Sequence, residues 1–125
     1  MTNKISEILL LKYRGGVNSS VFTGRPQGET ARHELGLDKL DKNQNIIHFI
    51  IPQGTTTITP SFFLGLLFES IFKLGFDKYK EKYIFKYKDE NPDIIVILES
   101  NIAEGERNAL NNLKSKRGYS KFIKK

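Results

Sequence analysis

The chain has 125 residues, enough for one domain that buries roughly 65–70% of the surface its unfolded form would expose. It contains no Cys, which excludes a disulfide framework, thiol catalysis and Cys-ligated zinc. The net charge of +6 belongs to residues 114–125, where Lys114, Lys116, Arg117, Lys121, Lys124 and Lys125 stand without an acid and leave the remainder balanced.

A single domain is therefore expected over residues 1–113, followed by a basic C-terminal tail over 114–125. Such a tail is solvated, or it meets phosphates without sequence preference. The opening stretch MTNKISEILLLKYRGG has too short an apolar patch for a signal peptide or membrane span. Glu69 and Lys73 interrupt the apolar pattern Phe62–Leu74. The expectation is a soluble cytoplasmic protein with no membrane contact.

In chain order, Ile5 to Tyr13 predicts a first strand. Turn residues Gly15-Gly16 and Asn18-Ser19-Ser20 flank Val17 and suggest a hairpin into a short Val21-Phe22 strand. A helix follows from the Thr23–Gly28 segment, with Pro26 in its first turn, and Gly36 closes it after Leu35. Ile46–Ile51 is short, β-branched and bounded by Pro52 and Gly54, as a strand covered on both faces should be. Thr59-Pro60-Ser61 then opens a long apolar helix, with Thr as N-cap and Pro at the first helical position, and Gly75 ends it.

Beyond Gly75, Phe76 to Tyr87 alternates apolar and basic residues around Tyr83, Phe85 and Tyr87. That predicts a half-exposed strand decorated by Lys82, Lys86 and Lys88. Asp89 to Pro92 reads as a turn and Ile94–Leu98 as a second doubly covered strand. A last helix is expected from Asn101, which is spaced with Glu104 as a capping box. No internal repeat is read. The sum is α/β, with a mixed central sheet of about four to five strands and about three helices.

Catalytic constellations are sparse. His33 and His48 lack a second ligand at metal spacing, and His33-Glu34 does not continue into H-E-x-x-H, because position 37 is Leu. No metal or cofactor is expected. Arg25, Arg32 and His33 offer anion-binding charge without a nucleophile–base pair, so an enzyme is not expected. The Gly24-Arg-Pro-Gln-Gly28 segment suggests either an anion site built from Arg25, Gly28 and helix amides, or simply a helix turn with permissive glycines; the turn is favoured. Ser61 falls in the first turn of a helix, where negative charge is stabilised; it is read either as a cap shared with Thr59 or as a place for a phosphoryl group.

The pattern Gly24-Arg25-x-x-Gly28, an apolar strand, then Ile58-Thr59-Pro60-Ser61-Phe62 resembles the bacterial STAS-like family of unknown function. That family is itself similar to STAS domains, among them the anti-sigma factor antagonists. The resemblance covers roughly Thr23 to Phe76. It implies a STAS-like fold and a non-enzymatic interaction module in signalling or regulation. It also implies a phosphorylation point at Ser61 and a partner of the histidine-kinase-like ATPase type. Acidic positions of the family pattern are held here by Ile51, Leu64 and Gly65, and Thr59 stands where the antagonists carry Asp. The scaffold thus carries over more fully than the switch. The partner-binding surface is expected at the 53–63 junction, with Thr57, Thr59, Ser61, Phe62 and Phe63 as contacts, the two Phe residues only if exposed. The alternative is nucleic-acid binding by the basic tail and strand 76–88, with Tyr79, Tyr83 and Tyr87 interleaved among lysines as stacking platforms.

Overall fold

A computed structural model of the chain describes residues 4–15 and 18–123, the side chains of 115–123 excepted. The turn expected around Gly16 and Val17 and most side chains of the basic tail lie outside the described residues. The fold is α/β, built on two small parallel sheets and five α-helices.

The main sheet has the order β1 (Ile5–Leu9), β3 (Ile46–Ile51), β5 (Tyr83–Tyr87), all parallel, with Ile5 opposite Ile46 and Ile47 opposite Tyr83. A second sheet pairs the two-residue strands β2 (Val21–Phe22) and β4 (Thr57–Ile58), also in parallel. Helices α1 (Arg25–Leu35) and α3 (Pro60–Leu74) spring directly from these short strands. The short helices α2 (Leu37–Leu40) and α4 (Phe76–Lys82) lead into β3 and β5, and α5 (Pro92–Ile123) follows β5.

The molecule is thus a duplication. Each unit is a long strand, a loop, a two-residue strand, a helix with Pro in its first two positions, and a short helix entered through glycine. The entry sequences are Leu35-Gly36-Leu37-Asp38-Lys39-Leu40 and Leu74-Gly75-Phe76-Asp77-Lys78-Tyr79, identical at four of six positions. This corrects the reading that the chain has no internal repeat.

Four other expectations are corrected. The central sheet has three strands, not four to five, and it is parallel, not mixed. β1 pairs with β3 across the whole first unit instead of turning back as a hairpin onto β2. Ile94–Leu98 is helical, because α5 begins at Pro92, nine residues before Asn101. The Asn91 side chain accepts from the Asp93 amide at 2.9 Å, and Pro92 takes the first helical position. That cap outweighs the β-branched preference of Ile94-Ile95-Val96-Ile97. Segment 76–82 likewise coils, burying Tyr79 and half-burying Phe76 at helical spacing, while the expected alternation holds over Tyr83–Tyr87.

Right-handed crossovers are the rule between parallel strands in this one-way order and place α1 and α3 on one side of the main sheet, and α5 packs against α3 there. α3 lies between the other two. It meets α1 at a glycine pair: a Cβ on Gly28 would overlap the Phe62 carbonyl oxygen, and one on Gly65 would overlap that of Arg25. On its other flank, Gly105 of α5 leaves room for the Phe63 ring. Phe49, Phe63, Phe85, Tyr79 and Tyr83 form a connected aromatic centre.

A buried polar cluster ties the two units together. Arg32 donates through Nη2 to Asp41 Oδ2 and Asp38 Oδ1, each at 2.8 Å, and through Nη1 to Ser70 Oγ at 2.8 Å and the Leu66 carbonyl at 3.0 Å. Ser70 and Tyr83 donate in turn to Asp41 Oδ1. Burial, followed by the bond to Asp41, raises the Tyr83 phenol above the ordinary tyrosine range. Arg32, Asp41 and Ser70 are all buried, and their bonds satisfy one another. A charge pair so enclosed is a structural fastening, costly to break on one side only.

Candidate functional site

The junction between β3 and α3 lies at the C-terminal edge of the parallel sheet, where α/β folds place their binding loops. Residues 52–56 turn sharply through Gly54, at φ +87°, and are fixed by an internal clamp. Arg14, only 8% exposed, reaches over from the end of β1. Its Nη1 donates to the Gln53 carbonyl at 3.1 Å and to Thr55 Oγ1 at 2.9 Å, and Thr55 donates onward to the Pro52 carbonyl at 2.8 Å. Arg14 Nε is buried without a partner. A guanidinium is a rigid fork of donors, and here it sets the loop's shape with one tine.

Beyond the loop, β4 is held from two sides. It pairs with β2, and the Ile58 amide donates to Asn101 Oδ1 of α5 at 2.9 Å. Asn101, expected to cap a helix, instead anchors α5 against this short strand. Thr59 does cap α3: its Oγ1 accepts from the Phe62 amide at 3.2 Å. Ser61 is exposed and takes no part in the cap.

The expected site residues therefore separate into two groups. Thr57, Thr59 and Ser61 line one stretch of surface, the first two half-buried and the third exposed. Phe62 and Phe63 point the other way and are each 1% exposed, so the condition attached to their contact role is not met. Phe62 packs on Phe22 with ring centroids 5.1 Å apart, and Phe63 joins the aromatic centre. Two of the first four residues of a helix sandwiched between neighbours must face inward, and here they are these two.

Arg25 and Gly28 do not share a surface either. Gly28 is buried against α3, whereas Arg25 is exposed, 3.7 Å from Glu29 and with its guanidinium over the Phe68 ring. The glycine serves helix packing. As for the stacking tyrosines, Tyr79 and Tyr83 are buried and donate to Glu106 and Asp41, and Tyr87 is half-buried. Burial raises all three phenols above the ordinary range. Neither buried ring is available to stack on a base.

The exposed apolar residues next to the junction are ones the sequence reading placed in a strand. Val96 is 62% and Ile97 48% exposed. Ile97 stands one helical turn before Asn101, on the same side of α5. A run of five apolar residues cannot bury more than one stripe once it coils, and Leu98 takes that stripe. The capping signature Asn91-Pro92-Asp93 was the signal that identifies this run as helix.

Comparison of the chain with protein-family models, with curated proteins and with solved structures finds no match.

Proposed function

We propose that the chain is a non-enzymatic, STAS-like protein-interaction module of bacterial signalling or regulation. It docks through the 53–63 junction and is modulated by phosphorylation of Ser61. The observation that carries this reading is the division of labour at the start of α3: Thr59 holds the cap, and the exposed Ser61 hydroxyl is left out of it.

A phosphoryl group on Ser61 stands in the first turn of a 15-residue helix. Unpaired amides and the helix dipole favour negative charge there by about 0.3–1 kcal/mol, so the modification leaves the fold intact. It adds roughly two negative charges to the docking surface, and an apolar partner surface loses affinity for it. Val96 and Ile97 supply the apolar contacts in place of Phe62 and Phe63. The partner is a regulatory protein; the resemblance favours a histidine-kinase-like ATPase.

Co-purification of the full chain from its native host tests the reading. A regulatory or kinase-like protein should be recovered, Ser61→Asp and Ile97→Asp should each weaken its retention, and Ser61→Ala should not. Equal retention by Ser61→Asp sinks the phospho-switch, and the absence of any retained partner sinks the module.

A further inference from the structure

Among the described residues, one side of the main sheet carries no helix, and the residues on it follow from the register. Ile5 and Ile46 stand together, then Glu7, His48 and Ile84, then Leu9, Ile50 and Lys86. The alternate residues, among them Ile47, Phe49, Ile51 and Tyr83, face the helices and belong to the core. The uncovered side is mainly apolar: Ile5 is 56% and Leu9 55% exposed, Ile46 and Ile84 are half-buried, and only Ile50 in the middle is buried. Parallel sheets occur almost only with both faces covered.

The charges on this face identify the cover. Within the paired strands it bears one carboxylate, Glu7, on the β1 edge and one ammonium, Lys86, on the β5 edge, both exposed. A two-fold axis lying in the face and crossing midway between them brings Glu7 of each copy against Lys86 of the other. The same operation lays Leu9, Ile50 and Ile84 of each copy over the face of the other, with Ile5 toward the rim. Such an arrangement is isologous, as a closed dimer requires.

Edge-to-edge pairing through β1 is the competing way for two copies to meet. Antiparallel β1 strands centred on their middle residue set Ile5 opposite Leu9 but also Glu7 opposite Glu7. A like charge directly opposite disfavours that pairing. The charge pattern therefore selects face-to-face packing.

We propose that two copies of this chain associate through the helix-free face of the β1–β3–β5 sheet, with Glu7 and Lys86 paired reciprocally across the contact. The surface is distinct from the 53–63 junction and does not depend on the reading of that site. Three strands at about 4.8 Å and five residues at about 3.3 Å make a face of modest extent, so the association is reversible on dilution.

Sedimentation velocity of the full chain, over a concentration series reaching the millimolar range, reads this directly. A monomer–dimer equilibrium is expected. Leu9→Asp should abolish it. Glu7→Lys should weaken it about tenfold, two symmetry-related pairs being reversed at once, and adding Lys86→Glu should restore it. All three positions are exposed, so circular dichroism should report an unchanged fold. A chain that stays monomeric throughout overturns the proposal, as does a dimer indifferent to Leu9→Asp. Tighter association of Glu7→Gln would mean edge pairing and overturns it too.

Discussion

The two units of the duplication share a plan and differ in chemistry. Helix α1 buries only Gly28, Ala31 and Arg32, whereas α3 buries eight residues, six of them Phe, Leu or Ile. The plan explains the difference. α3 has a helix on each flank and the sheet beneath it, so little of it meets water; α1 has a neighbour on one flank only. Position in the array, not the local motif, sets how apolar each helix must be. The glycine-led segments behave the same way. Leu37 is fully buried and Leu40 half-buried, while in the second unit Tyr79 is the buried one and Phe76 the half-buried one.

The contact between the units is where this comparison breaks most easily. Asp41→Ala should cost about 3–5 kcal/mol, since it leaves the Arg32 guanidinium buried with its inner partner gone; urea denaturation measures it. Removing an exposed acid of the second unit, Glu81→Ala, should stay within about 0.5 kcal/mol. Gly65→Ala should destabilise by about 1–3 kcal/mol in thermal unfolding, because its methyl meets the α1 backbone. This loss would appear even though Ala is the better helix former by about 1 kcal/mol.

A pH titration sharpens the contrast between the units. The second unit and β5 supply Tyr79, Tyr83 and Tyr87, whose phenols are raised above the ordinary 10.0, in each case first by burial. A raised phenol contributes stability that is complete below 10.0 and is lost as pH rises beyond it toward the folded value. Unfolding monitored by circular dichroism should therefore set in on the alkaline side of that value. Tyr87→Phe, which removes one of the three without breaking a bond to a carboxylate, should move the onset to higher pH.

The smallest expected effects concern the two helix starts. α3 has a side-chain cap and α1 starts on Gly24, at φ 91°, with none. Thr59→Ala should cost about 1 kcal/mol, whereas Ser61→Ala should change stability by less than about 0.5 kcal/mol. A Ser61→Ala loss as large as that of Thr59→Ala would show that Ser61 shares the cap, removing the ground for the proposed phospho-switch.

Much of this was legible in the sequence where one local signal dominated. Ile46–Ile51, the Thr59 cap and the Gly36 and Gly75 helix ends lie where turn and capping chemistry put them. Ile94–Leu98 failed because a β-branched run and a capping signature disagreed there, and the cap won with the help of Asn101 and the core stripe. The parallel pairing of β1 with β3 was not legible, since a glycine-rich turn after β1 reads equally well as a hairpin. At the candidate site, the place of Ser61 in the first turn of α3 was legible, but the burial of Phe62 and Phe63 was not. No local pattern states which face of α3 is inside, and that depended on α5 arriving with Gly105 to receive Phe63.

The one-way winding has a further consequence for how such a chain grows. Each unit adds one long strand beside the last and one helix over it, so space is filled in the order of synthesis. Nothing in that geometry sets a limit at two units. A third could be laid against β5 by the same right-handed step. At the β5 edge, Lys86 and Lys88 are exposed, and α5 packs beside α3, where the next helix of the array would lie.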